Sequence, residues 1–279
     1  MKRAIVVEGG AMRGIFAAGV LDKFMEENYY PFDFAVGVSA GATNLSTYVS
    51  RMHGLSKTII TQYATKREFF SPLRFIKGGH MTDVHWLWHH SKQSLGITGP
   101  NSSAAMPLYV GITNTQTGQC EYHQATEDNV DALMVASCAL PTAFREQPII
   151  NGTRYVDGGV ADAIPVKQAY DMGARDITVV LSQPHGFTKP EVKSTWLMEK
   201  MYGDQPALLK TMLARAGIYN DTLKFLSNPP DDCKLTLVAP DSGFCVKRLT
   251  MDKRKLLKGY AQGRRMARRL VKDTVAIAI

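Results

Sequence analysis

The sequence predicts an α/β fold in which a central, mostly parallel sheet is covered by helices on both faces, a three-layer α/β/α sandwich. Two observations carry this. The first 50 residues alternate strand, helix, strand, helix, the pattern of a sheet built from crossover units. The chain has 279 residues, 45% of them hydrophobic and 21% charged, an ordinary globular balance with enough length to bury a sizeable core.

The elements follow in order. Lys2–Val7 is a short apolar strand that ends at a glycine-rich turn. Residues 15–27 place Ala17, Val20, Leu21, Phe24 and Met25 at helical spacing, with Asp22, Lys23, Glu26 and Glu27 on the opposite face. Phe34–Val38 is a second apolar strand and 40–51 a second helix. The stretch 71–100 is irregular and rich in Gly, Pro, His and aromatics, as a lid or binding loop is. Strands at 108–113 and 120–123 bracket Thr117-Gly118 as a hairpin. A helix at 128–137 stops near Pro141, a strand follows at 153–156, a helix at 166–172 and a strong strand at 177–181. Residues 206–226 form a long helix, capped by Asp204 and opened by Pro206, with Leu209, Met212, Leu213, Ala216, Leu223 and Leu226 as its stripe. Lys234–Val238 is the last strand. A final helix at 253–271 turns Leu256, Tyr260, Gly263, Ala267 and Leu270 inward. With no repeat and no linker, one domain over 1–279 is expected, a core at about 2–185 followed by an extension at about 186–279.

Composition narrows the function classes. No stretch approaches the roughly 20 apolar residues of a membrane span. The basic start MKR and the apolar run after it stop at Glu8, too soon for a signal core, so the segment reads as a strand. Cys120, Cys138, Cys233 and Cys245 lack metal-type spacing and fit reduced thiols, which with the missing signal points to the cytoplasm. The net charge of +8 is local: 247–272 holds 11 Lys or Arg against Asp252 alone, leaving 22 basic and 24 acidic residues elsewhere. That segment suits an anionic membrane surface, or simply a sheet-packing helix with a solvated cationic face. It carries no motif for nucleic acid, so none is expected as a partner.

Three short motifs carry chemistry. Gly37-Val38-Ser39-Ala40-Gly41 is G-x-S-x-G at a strand-to-helix junction, a sharp turn that exposes a serine hydroxyl near a helix N-terminus. Alone, it also fits an ordinary tight turn. Glu8-Gly9-Gly10-Ala11-Met12-Arg13-Gly14 presents backbone N–H groups after the first strand, a cradle for a phosphate or an oxyanion. It is neither a dinucleotide fingerprint nor a Walker loop. Asp157-Gly158-Gly159 puts an acid at a strand end, where it suits either a catalytic group or a self-bonded turn. Order excludes a Ser-His-Asp α/β-hydrolase: Ser39 follows only the second strand, and no histidine follows His185.

Together the motifs resemble the patatin-like phospholipases, which are related in core fold to eukaryotic cytosolic phospholipases. Gly9–Gly14 matches the family's glycine-rich oxyanion loop ending in basic-Gly, Gly37–Gly41 its nucleophile motif and Asp157–Gly159 its base motif. Ala136-Ser137-Cys138-Ala139-Leu140-Pro141, with Phe144, is similar to a further family segment. The resemblance covers roughly residues 2–185 and implies a serine lipid-acyl hydrolase without cofactor or metal, acting on acyl esters of phospholipids, lysophospholipids or glycerides. It makes Ser39 the nucleophile, Asp157 the base, and Gly9, Gly10, Ala11 and Met12 the oxyanion loop, supported by Arg13, Gly14, Gly37, Gly41, Gly158 and Gly159. An acyltransferase, or a silent lipid-binding protein, are the alternatives. Two departures stand out: Ala11 replaces a third glycine, and Asp162 stands where the family often has Asn. Arg13 is left between a loop-orienting ion pair and a headgroup contact. The stretch His80–His90, with Trp86 and Trp88, is a candidate for lining an acyl channel or dipping into a membrane surface, or is an ordinary amphipathic core helix. His85 and His89 share a helical face but lack a third ligand, so no metal is expected.

Overall fold

In the computed structural model, which describes residues 1–96, 106–191 and 195–277, β1 (Lys2–Val7) lies at the centre of the sheet. Ala4 and Val6 face one side of the sheet and Ile5 and Val7 the other, all buried, so each face needs its own helical cover. α1 (Ile15–Glu26) follows and leads to β2 (Phe34–Val38) and α2 (Ala40–Val49). α3 (Leu55–Thr58) runs into a π turn at Ile59–Tyr63, and two more helices follow, α4 (Pro72–Ile76) and α5 (Val84–Leu95). β3 (Leu108–Asn114) and β4 (Cys120–Gln124) form the expected hairpin. α6 (Val130–Cys138), β5 (Ile149–Ile150) and β6 (Thr153–Asp157) come next, then α7 (Val166–Asp171) and β7 (Ala174–Val180). α8 (Trp196–Tyr202), α9 (Pro206–Ser227), β8 (Lys234–Val238) and α10 (Lys253–Ile277) end the described chain.

β1 pairs in parallel with β2 and β7, β2 with β3, and β7 with β8. The chain thus builds outward from β1 in one direction and then returns to build the other way. The reversal creates a crevice at the carboxyl ends of the central strands, where ligands of open α/β sheets bind. β3 carries the decisive geometry. β4 lies antiparallel along Tyr109–Thr113, β2 pairs with residues 108–111, and β6 comes antiparallel onto 112–114. The registers of β2 and β6 each overlap that of β4, so both must lie on the opposite edge of β3. There β2 and β6 run head to head: Val38 is opposite Gly111 and Asp157 opposite Ile112. Ser39, the next residue after Val38, is therefore delivered to Asp157 by strand register.

One face of the sheet is covered by α1, α2, α5, α6 and α10, the other by α7 and α9. α10 crosses α1 where Gly19 and Gly263 meet. A methyl on either would lie 2.1 Å from a backbone oxygen of the other helix, Tyr260 O or Phe16 O. This contact buries the face of α1 expected to be solvated. Asp22 is fully buried, accepting from the Gly54 amide (2.9 Å) and the Tyr260 hydroxyl (2.7 Å), and Lys23 is also buried, paired with Glu26 and Glu27. Two other expectations are corrected. Gln205, not Asp204, is the N-cap of α9, without a side-chain bond. Its buried stripe is Leu208, Met212, Ala216, Tyr219, Thr222 and Leu226, because Leu208 packs under Val156 and Val160 while Tyr219 reaches the second face. The irregular stretch 71–100 contains α4 and α5, and residues 97–100 of it lie outside the described chain.

Candidate active site

Ser39 stands between β2 and α2 at φ +52°, ψ −130°, a conformation that side-chain-bearing residues rarely adopt. The turn is held by its neighbours. The Ser39 amide donates to Ser137 Oγ at 2.7 Å, and Ser137 Oγ donates to Gly111 O at 2.7 Å, so a fully buried hydroxyl from α6 ties the turn to β3. Gly37 and Gly41 flank it, where a Cβ would meet backbone atoms of Ala42 and Val7. The Ser39 hydroxyl does not cap α2. It donates to Asp157 Oδ2 at 2.8 Å.

Asp157 is itself fixed from several sides. Its Oδ1 accepts the Gly159 amide (2.7 Å), its backbone N–H donates to Ala139 O (2.9 Å), and its carbonyl accepts Thr113 Oγ1 (2.9 Å). Gly158 has to be glycine, since its Cβ would fall 2.1 Å from Gly111 O. Burial pushes the Asp157 carboxyl above the ordinary aspartate range. The positive charge of Arg215 and the bonds from Ser39 and Gly159 pull the other way without cancelling the shift. The turn-aspartate reading and the paired-acid reading therefore both describe Asp157, one for each oxygen.

The glycine-rich loop runs alongside. Ala11 sits at φ +50°, and Ala11–Gly14 forms one 3₁₀ turn leading into α1. The Gly9 amide is engaged by Ala163 O (3.0 Å) and the Met12 amide by Arg248 O (3.3 Å). Of the four residues expected to present donors, Gly10 and Ala11 keep amides without a protein acceptor among the described residues, and both line the cavity that holds Ser39. Arg13 is buried, 3.7 Å from Glu8 and donating to Ser182 Oγ through Nε (3.1 Å) and a terminal nitrogen (3.0 Å). This is the geometry of the loop-orienting ion pair, and Arg13 is not among the residues that line the cavity. Gly14 O accepts Asn44 Nδ2 (2.8 Å), which joins the loop to α2. Asp162 accepts Tyr122 OH (2.6 Å) and the Ile164 amide (3.2 Å), so the acid keeps the turn organised where an amide side chain was expected.

The cavity has a volume of about 330 Å³. Gly10, Ala11, Ser39 and Asp157 form one part of its wall. Ile59, Ile60, Val84, Leu87, Trp88 and Met134 form an apolar part, from the π turn, α5 and α6. Trp88 is on this wall; Trp86 instead stacks on His90. Cys138 also lines it, its thiol pushed up to about 12 by burial. Sequence reasoning missed four contributors. Ser137 was seen only as part of a motif, Thr113 gave no signal, and Arg215 and Arg248, which also line the cavity, were counted only within helix or charge patterns. His85 and His89 stack on each other in a separate cleft beside Glu146, and no group of three metal-type side chains occurs among the described residues.

Comparison with known proteins decides the family. A model of the patatin-like phospholipases matches residues 5–170, more than half of the chain and every motif above. The chain belongs to the patatin-like phospholipase family. A second model, described only as a domain of unknown function (DUF6363), matches 205–276. The chain is 34% identical over 246 residues to the uncharacterized protein YjjU of Escherichia coli (strain K12), covering 85% of this chain and 68% of that one. It also superposes on VipD from Legionella pneumophila with a TM-score of 0.41 at 12% identity, over 95% of this chain and 66% of that one, just under two thirds of its length. The patatin-like family is one of lipid acyl hydrolases, and lipids are its substrates. No described helix of this member is long and apolar enough to cross a membrane.

Proposed function

We propose that this protein hydrolyses fatty-acyl esters through a covalent acyl-enzyme on Ser39, with Asp157 as its only proton-transfer partner. The observation that carries the reading is the 2.8 Å bond from Ser39 Oγ to a buried carboxylate, beside two unengaged amides and an apolar cavity. A donor–acceptor distance of 2.6–3.2 Å is what direct general-base catalysis needs. The raised basicity of Asp157 offsets the weakness of a carboxylate as a base near neutral pH.

The steps balance as follows. Asp157 Oδ2 takes the Ser39 hydroxyl proton while Oγ forms a bond to the ester carbonyl carbon. The carbonyl oxygen becomes an oxyanion and accepts from the Gly10 and Ala11 amides, each such donor typically contributing ~10²–10³ in rate. Collapse breaks the carbon–oxygen bond to the leaving alcohol, which carries away the proton from Asp157. Water then gives one proton to Asp157 and adds its oxygen to the acyl carbon. The second collapse releases the fatty acid and returns the proton to Ser39. The positive end of α2 favours the developing anionic oxygen. The acyl chain occupies the wall of Ile59, Ile60, Val84, Leu87, Trp88 and Met134.

The extension after residue 185 acts with the core as one unit. Its β8 continues the sheet, α9 and α10 cover the two faces, and the Met12 amide bonds to Arg248 O. α10 presents Lys253, Arg254, Lys255, Lys258, Arg268 and Arg269 to solvent, with Leu249 and Leu257 exposed nearby in sequence, which suits peripheral contact with an anionic membrane. The test is fatty-acid release from a short-chain ester and a lysophospholipid with chelator present. Wild type is expected to be active and Ser39→Ala and Asp157→Asn to lose nearly all turnover. Activity surviving both substitutions contradicts the proposal.

A further inference from the structure

We infer that Arg215 and Arg248 form an anion subsite on the alcohol side of the scissile ester, so that the enzyme selects acyl esters whose alcohol carries a phosphate over neutral glycerides. The inference rests on the acyl-ester reading of the same site and extends it to a substrate class.

Both guanidinium-bearing residues line the cavity that holds Ser39, and both come from the segment matched only by a domain of unknown function. Arg215, on α9, is fixed in place: its Nε donates to Gly159 O at 2.8 Å, two residues from the dyad's acid. Arg248 lies on the loop before α10, and its carbonyl accepts the amide of Met12, next to Ala11. Arg215 is thus tied to the base motif through its guanidinium, and Arg248 to the glycine-rich loop through its backbone. The apolar wall arises from other elements, the π turn, α5 and α6. An ester with its carbonyl at Ser39 and its chain along that wall has its alcohol portion left for the cationic end.

The charges there are not neutralised by the protein. Arg13, the third arginine of the region, is matched by Glu8. Among the described residues, Arg215 and Arg248 have no carboxylate within 4.0 Å, and neither does Lys189, which lies 4.7 Å from the Tyr219 ring. The nearby acid, Asp157, is occupied by Ser39 and Gly159. Desolvation first, and neighbouring arginines next, bring Arg215 down to about 10 and Lys189 to about 7. A half-buried pair of arginines that lines the cavity of Ser39, with no carboxylate within 4.0 Å of either among the described residues, is arranged for an anion that arrives with the substrate. A phosphate presents the oxygens that two guanidinium groups bind best.

The test has a kinetic arm and a binding arm. In the first, kcat/KM is compared for a monoacyl glycerophosphate and the monoacylglycerol of the same chain, in wild type, Arg215→Gln and Arg248→Gln. Wild type is expected to favour the phosphate ester, and each substitution to cut that preference about 10- to 100-fold, mainly through KM, the loss expected for one charge-assisted contact. A preference that is absent in wild type, or the same in all three proteins, overturns the inference. In the second, calorimetry measures glycerol 3-phosphate and inorganic phosphate binding to Ser39→Ala, with and without Arg248→Gln. Tighter binding of glycerol 3-phosphate that weakens with Arg248→Gln supports a headgroup subsite. Equal binding of both ions, or binding insensitive to Arg248, counts against it. Because this arm needs no turnover, the subsite can fail while the hydrolase reading stands, and the reverse.

Discussion

Ser137→Ala probes how the reactive turn is held. Ser137 is fully buried, and its hydroxyl is the single link between the Ser39 amide and Gly111 O, at 2.7 Å to each. Removing the oxygen leaves one buried donor and one buried acceptor unpaired. Each such group costs about 1–3 kcal/mol, and Ala fills the space nearly as well as Ser, so a total of roughly 3 kcal/mol is expected. For a protein of this size, about 1 kcal/mol moves Tm by some 2–4 °C, which puts the fall near 6–12 °C. The function should suffer as well. Ser39 is kept at positive φ only by such contacts, and a drift of about 1 Å from Asp157 is worth about 10²-fold in rate. Thermal melting followed by dye fluorescence gives the first number, and hydrolysis of a short-chain aryl ester at saturation the second. A variant that melts within about 1 °C of wild type with unchanged kcat would refute the reasoning, because it would mean that the link contributes nothing.

Further outcomes follow from the same contacts. The acid limb of the kcat/KM profile should lie above the ordinary aspartate range, because the carboxylate form of Asp157 is the active one and burial raises its pKa; activity then grows as pH rises through that value. Arg215→Gln should move this limb further up, since Arg215 lowers the pKa of Asp157, and a stationary limb would deny the coupling. Asp157→Asn should be inactive yet melt no lower than wild type, because the folded state no longer carries a desolvated carboxylate at neutral pH. The aspartate's raised folded pKa means that its contribution to stability declines as pH rises from the unfolded value through the folded one, so the variant's advantage should shrink in acid. Gly263→Val should destabilise by about 3 kcal/mol or more, measured by urea unfolding, as its Cβ would sit 2.1 Å from Phe16 O and force α10 off α1. Vesicle sedimentation should show wild type binding to anionic vesicles more than to neutral ones, an effect that weakens in 0.5 M salt and with Lys253, Lys255 and Lys258 replaced by Gln.

The three motifs and every strand but the two-residue β5 were legible in the sequence because they are local. Runs such as Lys2–Val7 and the β3–β4 hairpin announce themselves by composition and turn residues, and each motif lies within seven consecutive residues. The pairing of Ser39 with Asp157 was implied only by resemblance, yet its physical cause is the head-to-head meeting of β2 and β6 on one edge of β3, which no local pattern encodes. The solvated face assigned to α1 failed for a similar reason. Asp22 reads as exposed until α10, more than 200 residues later, supplies Tyr260. Arg215 was one residue of a long helix and Arg248 one member of a basic cluster. Their convergence on the cavity depends on how α9 and the loop before α10 pack, and charge counting cannot reveal it. Even in the glycine-rich loop the structure was needed to separate free amides from bonded ones, because those of Gly9 and Met12 are claimed by Ala163 and Arg248.

The central claim is a covalent acyl-enzyme on Ser39 formed with help from Asp157. Acid-quenching the protein within milliseconds of mixing with a slow-deacylating short-chain ester, followed by peptide mass spectrometry, tests it most directly. The account predicts one acyl group on the peptide containing Ser39 in wild type, none in Ser39→Ala, and greatly slowed accumulation in Asp157→Asn. Steady hydrolysis with no adduct, or an adduct on another residue that persists in Ser39→Ala, would contradict it.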